Sequence, residues 1–433
     1  MPLLAAAWQR LPWIGAVMAA VTVAVGLYVR RFTDTPLGAP YPPSLGNLDV
    51  AAHPLLGASV AAFAAAVALA PRLLDERVRP AAVAGVLLAG TLVLRLALAA
   101  GRNGTTAWDE VFDPERSFEA VNEYLPALPA LDYGPRFLLD RFAELVPSFP
   151  VHVAGHPPGL LLVLDAVGAT TPARMAALCI AIGALSAPLT YGLARGLLDE
   201  RGARVAGLLM AMAPGALMFG VTSADAVFLT LGLLAAWPLS RPSRAARVGG
   251  AALLAVCTMF AWSLLAVGAW AALLSLRREG RRRALELSAI CAVVVLALHG
   301  ALAALSGFDA IGTILATEEV YRAGVASIRP YWYWVLGSPV GFLIVLGLPI
   351  MWLGLRELAR GTPEAVAIFT VLAIAAVMGF TKAETERIWL FFAPFVCLAA
   401  ARALARRPRL VTPVLAALAA QAVLHELSFD TVW

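Results

Sequence analysis

The chain has 433 residues, 61% of them hydrophobic and only 14% charged, with a net charge of +5. A soluble domain averages about 45–50% apolar and roughly 25% charged residues, so an ordinary soluble domain is excluded. The basic excess sits mostly in short loops between apolar runs, where the positive-inside bias accounts for it and nucleic acid is not implied as a partner.

Hydrocarbon offers the backbone no hydrogen bonds, so apolar stretches of about 20 residues must become helices. The fold class is therefore all-α: a polytopic transmembrane helical bundle in contact with membrane lipids. Apolar spans are predicted at 12–29, 55–71, 80–100, 176–193, 204–221, 225–239, 284–306, 338–357, 363–380, 388–404 and 410–425, about 11 crossings. Residues 11–28 carry no small-residue cleavage site before Arg30 and Arg31, and read as a retained first span. Cys179, Cys257, Cys291 and Cys397 each fall inside apolar segments and suggest neither disulfides nor a metal cluster.

The charged connections orient the chain. RREGRRR (277–283), RPSRAAR (241–247), ARGLLDERGAR (194–204), RELAR (356–360) and ARRPR (405–409) are cytoplasmic markers. The segment 101–155, the turn at 222–225, the segment 307–337 and the stretch TKAETER (381–387) then fall outside. Two regions strain this scheme. Residues 248–275 must start and finish inside, as two short helices meeting near 259–263 or one re-entrant hairpin. Residues 156–170 are too short for a full span and carry Asp165. Arg30 and Arg31 land on the outer side, against the rule.

The outer segments hold the candidate chemistry. In 101–155, Phe137, Leu138, Phe142 and Leu145 recur at helical spacing, the pattern of an amphipathic helix lying on the bilayer. TAWDEVFD (106–113) sets Asp109 and Glu110 just beyond the third span, where a carboxylate can deprotonate a hydroxyl or coordinate a divalent cation. A solvated loop acid is the plainer alternative. Glu123 is a lesser candidate of the same kind. In HPPG (156–159) the prolines suit a helix start, and His156 is placed to bond a phosphate or an acid. Asp225 is the single acid between two apolar spans, either a helix cap or a functional carboxylate. Arg322 and Arg329 stand among interfacial aromatics, and the guanidinium fork matches phosphate oxygens. Last, FTKAETERIWLFF (380–392) crowds Lys382, Glu384, Glu386 and Arg387 into one connection. On a helix, Lys382 and Glu386 would pair at four residues' spacing, leaving Arg387 for a charged substrate.

In order and placement these features resemble the GT-C superfamily of polytopic glycosyltransferases, in its uncharacterised actinobacterial-type members. The resemblance spans residues 80–404 and rests on WDE (108–110) after a span, the long outer loop and HPPG at its exit. It continues through Pro214 and Asp225, the cationic YRAG and SIRP elements, and ETERIWLFFAPF (384–395). It implies a core over 80–404 with catalytic outer loop 101–155, preceded by two additional helices in 1–79 and followed by a last helix and outer tail in 405–433. It also implies a plasma-membrane enzyme with an extracytoplasmic site. That enzyme moves a sugar from polyprenyl phosphate to a hydroxyl of a glycan, lipid or protein acceptor, with inversion. Carried over, Asp109 is the first choice for general base and Glu110 the second. Asp225 marks the second acidic position, with Asp109 and Asp225 the candidate ligands of a divalent cation. Lys382, Arg387, Arg329 and Arg322 would steady the departing phosphate, with His156, Glu384 and Glu386 beside the substrate. A secondary transporter or flippase of a lipid-linked or anionic solute is the alternative; it requires broken helices or charges near mid-membrane and an internal repeat.

Overall fold

The computed structural model describes residues 10–431; the extreme ends of the expected N-terminal addition and C-terminal tail, 1–9 and 432–433, lie outside the described residues. The described chain is helical almost throughout. Six helices are long and apolar enough to cross a membrane: Leu11–Phe32, Leu56–Leu73, Pro80–Phe112, Pro172–Ala194, Arg281–Ser306 and Pro408–Ser428. Two further spans are broken. Glu200–Met212 bends by 53° into Pro214–Val221, and Tyr331–Leu346 bends by 116° into Leu348–Ala359. Asp225–Leu239, Pro363–Met378 and Leu390–Ala405 are apolar but shorter. Every predicted span thus corresponds to helix, while length and composition support six to eight crossings.

The breaks have local causes. Pro214 lacks the amide hydrogen that would continue the ladder, and it forces Ala213 into an extended conformation. Gly347 sits at φ +136°, closed to side-chain-bearing residues, with Pro349 in the next turn. The single span expected at 338–357 is therefore corrected to a sharp elbow between two helices.

The stretch 248–275 forms two short helices, Arg244–Cys257 and Leu265–Glu279, joined across residues 258–264. Residues 156–170 give only the eight-residue helix Gly159–Ala166, with Asp165 exposed. The amphipathic helix is Pro135–Leu145. Leu138 and Phe142 are fully buried while Phe137 is exposed. Its apolar face meets protein as well as any bilayer: the Phe142 ring lies 5.4 Å from Phe149 and 6.5 Å from Phe308.

The two ends of the bundle differ in character. At one end arginines and acids interlock. Glu364 bonds Arg278 and, at 3.2 Å, Arg402, while Glu357 bonds Arg360 and, at 3.0 Å, Arg406. Arg204 closes the end of Leu56–Leu73 by donating to the carbonyls of Leu73, Asp75 and Val78. The opposite end gathers the long connections: 33–53, 101–155, 222–225, 307–330, 380–388 and the C-terminal strand. There Asn47–Leu48 pairs antiparallel with Phe429–Asp430, and Arg102 binds Asp49 at 2.9 Å and the carbonyls of Glu426 and Leu427. Arg30 and Arg31 have a physical place at this end. Both close the helix Leu11–Phe32, where cations complement the dipole, and the Arg30 guanidinium lies 4.4 Å over the Tyr41 ring.

Candidate functional site

The site begins with backbone geometry. Among the described residues, only Ala383 (φ 64°) and Glu384 (φ 56°) are non-glycine residues in the left-handed region, and both lie in the TKAETER connection. Such conformations cost about 1–3 kcal/mol each and persist where the surroundings over-determine them. They also end any helical register through this stretch, so the expected Lys382–Glu386 pair does not form. Lys382 Nζ instead donates to the Ala326 carbonyl at 2.9 Å, and Glu386 Oε1 accepts from the Leu45 amide at 2.8 Å.

The kink delivers Glu384 between two arginines. Its Oε1 accepts from Arg329 Nη2 and its Oε2 from Arg387 Nη2, each at 2.6 Å. Arg387 Nη1 donates to Asp225 Oδ2 at 2.8 Å, and that oxygen also accepts from Ser223 Oγ at 2.7 Å. Arg329 is held further by the carbonyls of Lys382 and Gly38. Arg387, Arg329 and Asp225 are all about 95% buried. Burial pushes the Glu384 carboxyl up, but Arg387 and Arg329 overrule it and hold it down at about 2. Asp225 opens the helix Asp225–Leu239 and serves the ion-pair network at the same time.

The long loop meets this network from the other side. At its turn Phe118–Asn122 and the two residues after it, polarity is inverted relative to a water-exposed loop: Phe118 and Val121 face outward, while Glu119, Glu123 and Tyr124 are buried. Glu119 Oε1 lies 3.0 Å from His152 Nε2, and Glu123 Oε1 lies 3.8 Å from the same nitrogen. Both Glu123 and His152 feel the charge of Arg387. The His156 ring stacks 6.5 Å from Tyr124 and lies 4.9 Å from Phe228.

Burial drives His156 down to about 4, with Asp225 opposing and His152 and Arg387 assisting. An unfolded chain takes up this proton first as pH falls through about 6.5, so the folded state loses stability between pH 6.5 and 4. His152, whose shift is upward, acts in the opposite sense. Melting temperature measured from pH 7 to pH 4.5 should therefore fall more steeply for the wild type than for His156→Asn. Parallel curves would contradict a neutral His156.

Gly159 explains why HPPG ends in glycine. Its amide donates to the Met259 carbonyl at 2.6 Å, and a Cβ there would stand 2.3 Å from that oxygen. Gly159→Ala should cost about 1–3 kcal/mol by forcing the 258–264 turn away, visible as a lowered melting temperature.

The remaining candidates are dispersed. Asp109 is tied at 2.8 Å to Arg116, which also holds Asp113, near the surface. Glu110 lines a separate cavity of about 210 Å³ with Arg102, Arg116 and Asp430. Arg322 is three-quarters exposed and bonds Glu318 within its own helix. Of the pair expected to ligate a divalent cation, Asp109 gives one oxygen to Arg116 and Asp225 gives one to Arg387. Among the described residues, no group of three or more His, Cys, Asp or Glu side chains is disposed to hold a metal ion. Glu119 and His152 were not singled out by spacing, though Glu119 and Glu123, four residues apart beneath outward-facing apolar residues, are the pattern that marks them. No protein-family model matches the chain, and no curated protein matches it.

Proposed function

We propose that the chain is a GT-C-type membrane glycosyltransferase, crossing the plasma membrane about eleven times when the shorter apolar helices are counted. It transfers a sugar, with inversion, from a polyprenyl-phosphate donor to a hydroxyl of a glycan, lipid or protein acceptor on the extracytoplasmic side. The observation that carries this reading is the meeting of buried carboxylates with buried arginines at the loop end of the bundle: Glu119 and Glu123 from the long loop, Asp225 after a broken span, Arg329 and Arg387 from the late connections. Charges are expensive within a membrane protein and concentrate where a substrate is handled.

The chemistry asks for two things. A developing phosphate needs fixed cations in a dry setting, a contribution of several kcal/mol; Arg387 and Arg329 supply them, with Lys382 nearby. An attacking hydroxyl needs a proton acceptor, which a loop carboxylate supplies. A second reading, transport of an anionic solute, draws on the two broken spans and on Arg95, fully buried within a span.

Purified protein in nanodiscs, given radiolabelled polyprenyl-phosphate mannose, glucose, galactose and arabinose, should bind and consume at least one donor and release polyprenyl phosphate. If none is bound or consumed, while proteoliposomes move a labelled anionic solute, the transport reading replaces this one.

A further inference from the structure

Buried polar atoms without hydrogen-bond partners occur in several parts of the bundle, and three of them lie on residues beside the Asp225–Arg387 pair. Glu123 Oε2, Tyr124 Oη and Glu386 Oε2 are each enclosed and accept or donate no hydrogen bond among the described residues. Their side chains belong to residues at least 96% buried. An orphaned buried polar atom costs about 1–3 kcal/mol, more when charged, so such atoms are poised to bond a polar group brought to them. Glu123 and Tyr124 are adjacent in sequence and both feel Asp225 and Arg387. The inverted turn supplies the second observation: it turns Phe118 and Val121 outward in order to bury two acids.

We propose that Glu123, braced with Glu119 against His152, takes the proton from the acceptor hydroxyl, the role that sequence order gave to Asp109. This assignment rests on the glycosyl-transfer reading. The acceptor oxygen attacks the anomeric carbon and forms the new carbon–oxygen bond. The bond from that carbon to the phosphate oxygen breaks, and its electron pair leaves with polyprenyl phosphate. The hydroxyl proton passes to Glu123 Oε2, turning carboxylate into carboxylic acid, while the phosphate gains one negative charge. No oxidant, reductant or further reactant is needed.

Three features favour Glu123 over Asp109. Glu123 has a buried oxygen that no hydrogen bond engages, whereas Asp109 Oδ1 is engaged by Arg116. Glu123 is enclosed at 3% exposure, and burial raises its proton affinity against the pull of His152 and Arg387. It is buried close enough to Arg387 to feel its charge, whereas Asp109 pairs with Arg116 near the surface. His152 is a positioning residue: Glu119 fixes its ring at 3.0 Å, and the ring sets the charge that Glu123 meets. The charged and titratable groups facing this pair are Glu119, Arg387, Asp225, Glu384, His156, Tyr124 and Cys179.

The test uses the full-length protein in nanodiscs with the donor that the four-sugar panel identifies. Glu123→Gln should lower kcat by about 10²–10⁴-fold with donor KM within a few-fold of wild type, and Glu123→Asp should recover part of the rate. Asp109→Asn should stay within about threefold, and His152→Gln should shift the acid limb of the pH–kcat profile, a change that mere packing would not produce. Melting temperatures, read in parallel, confine the comparison to folded enzyme. An active wild type whose Glu123→Gln variant keeps its kcat, or whose Asp109→Asn variant loses it, overturns the assignment and leaves glycosyl transfer standing. A wild type that consumes no donor removes glycosyl transfer itself, and the proton acceptor with it.

Discussion

Replacing Arg387 with alanine is expected to lower stability by about 3–5 kcal/mol and to abolish donor turnover. The guanidinium lies between Asp225 and Glu384, with both bonds in the buried interior. Removing it leaves Asp225 without its paired cation, held by the Ser223 hydroxyl, and leaves Glu384 with Arg329 alone. Arg387→Lys should do better for stability than for catalysis: one ammonium restores the charge, but a point charge on a shorter stem does not reach two acids in the fork geometry. Glu384→Gln separates the two roles, since it removes one acid and leaves Arg387 paired with Asp225. The measurement is melting in detergent together with donor consumption. An Arg387→Ala protein that melts like wild type would mean that the network is solvated and its charges are not interdependent.

How far the sequence foretold this arrangement follows from the physics of each feature. Apolar length is a local property, and each predicted span is helical in the structure. The sharp elbow at Gly347 was not legible, because glycine in an apolar run is compatible with a straight helix until packing decides otherwise. Asp225, Arg329 and Arg387 stood out because charges beside apolar runs are rare, and the fold brings them into one network. Their internal partners were hidden. Arg387 and Asp225 are 162 residues apart, and Glu384 reaches its place only through a left-handed backbone that no periodicity announces. Asp109 looked stronger than Glu123 for a similar reason: two adjacent acids are conspicuous in a string of letters, whereas burial is a property of the folded chain. Arg95 is inconspicuous because a single cation does not interrupt the apolar run 80–100.

Arg95 offers the opposite expectation to Arg387 from the same kind of side chain. It is fully buried within Pro80–Asn103 and, among the described residues, forms no ion pair. Its contacts are Ser186 Oγ at 3.0 Å and the Gly220 carbonyl at a weak 3.4 Å, and its Nε atom has no partner. Gly183 and Gly220 make room for the guanidinium, since a Cβ at either would stand 2.4 Å from it. Desolvating a cation costs several kcal/mol, and here no carboxylate compensates it. Arg95→Met, similar in length and apolar, should therefore raise stability by on the order of 1–4 kcal/mol, the range seen when buried charges give way to packed apolar side chains. The gain would appear as a higher midpoint in denaturant unfolding. A lower midpoint would mean that the guanidinium fastens the helix after the Pro214 break to its neighbours more strongly than its desolvation opposes folding. A rise in stability accompanied by lost turnover or lost transport would mark Arg95 as a charge kept for function at the expense of the fold.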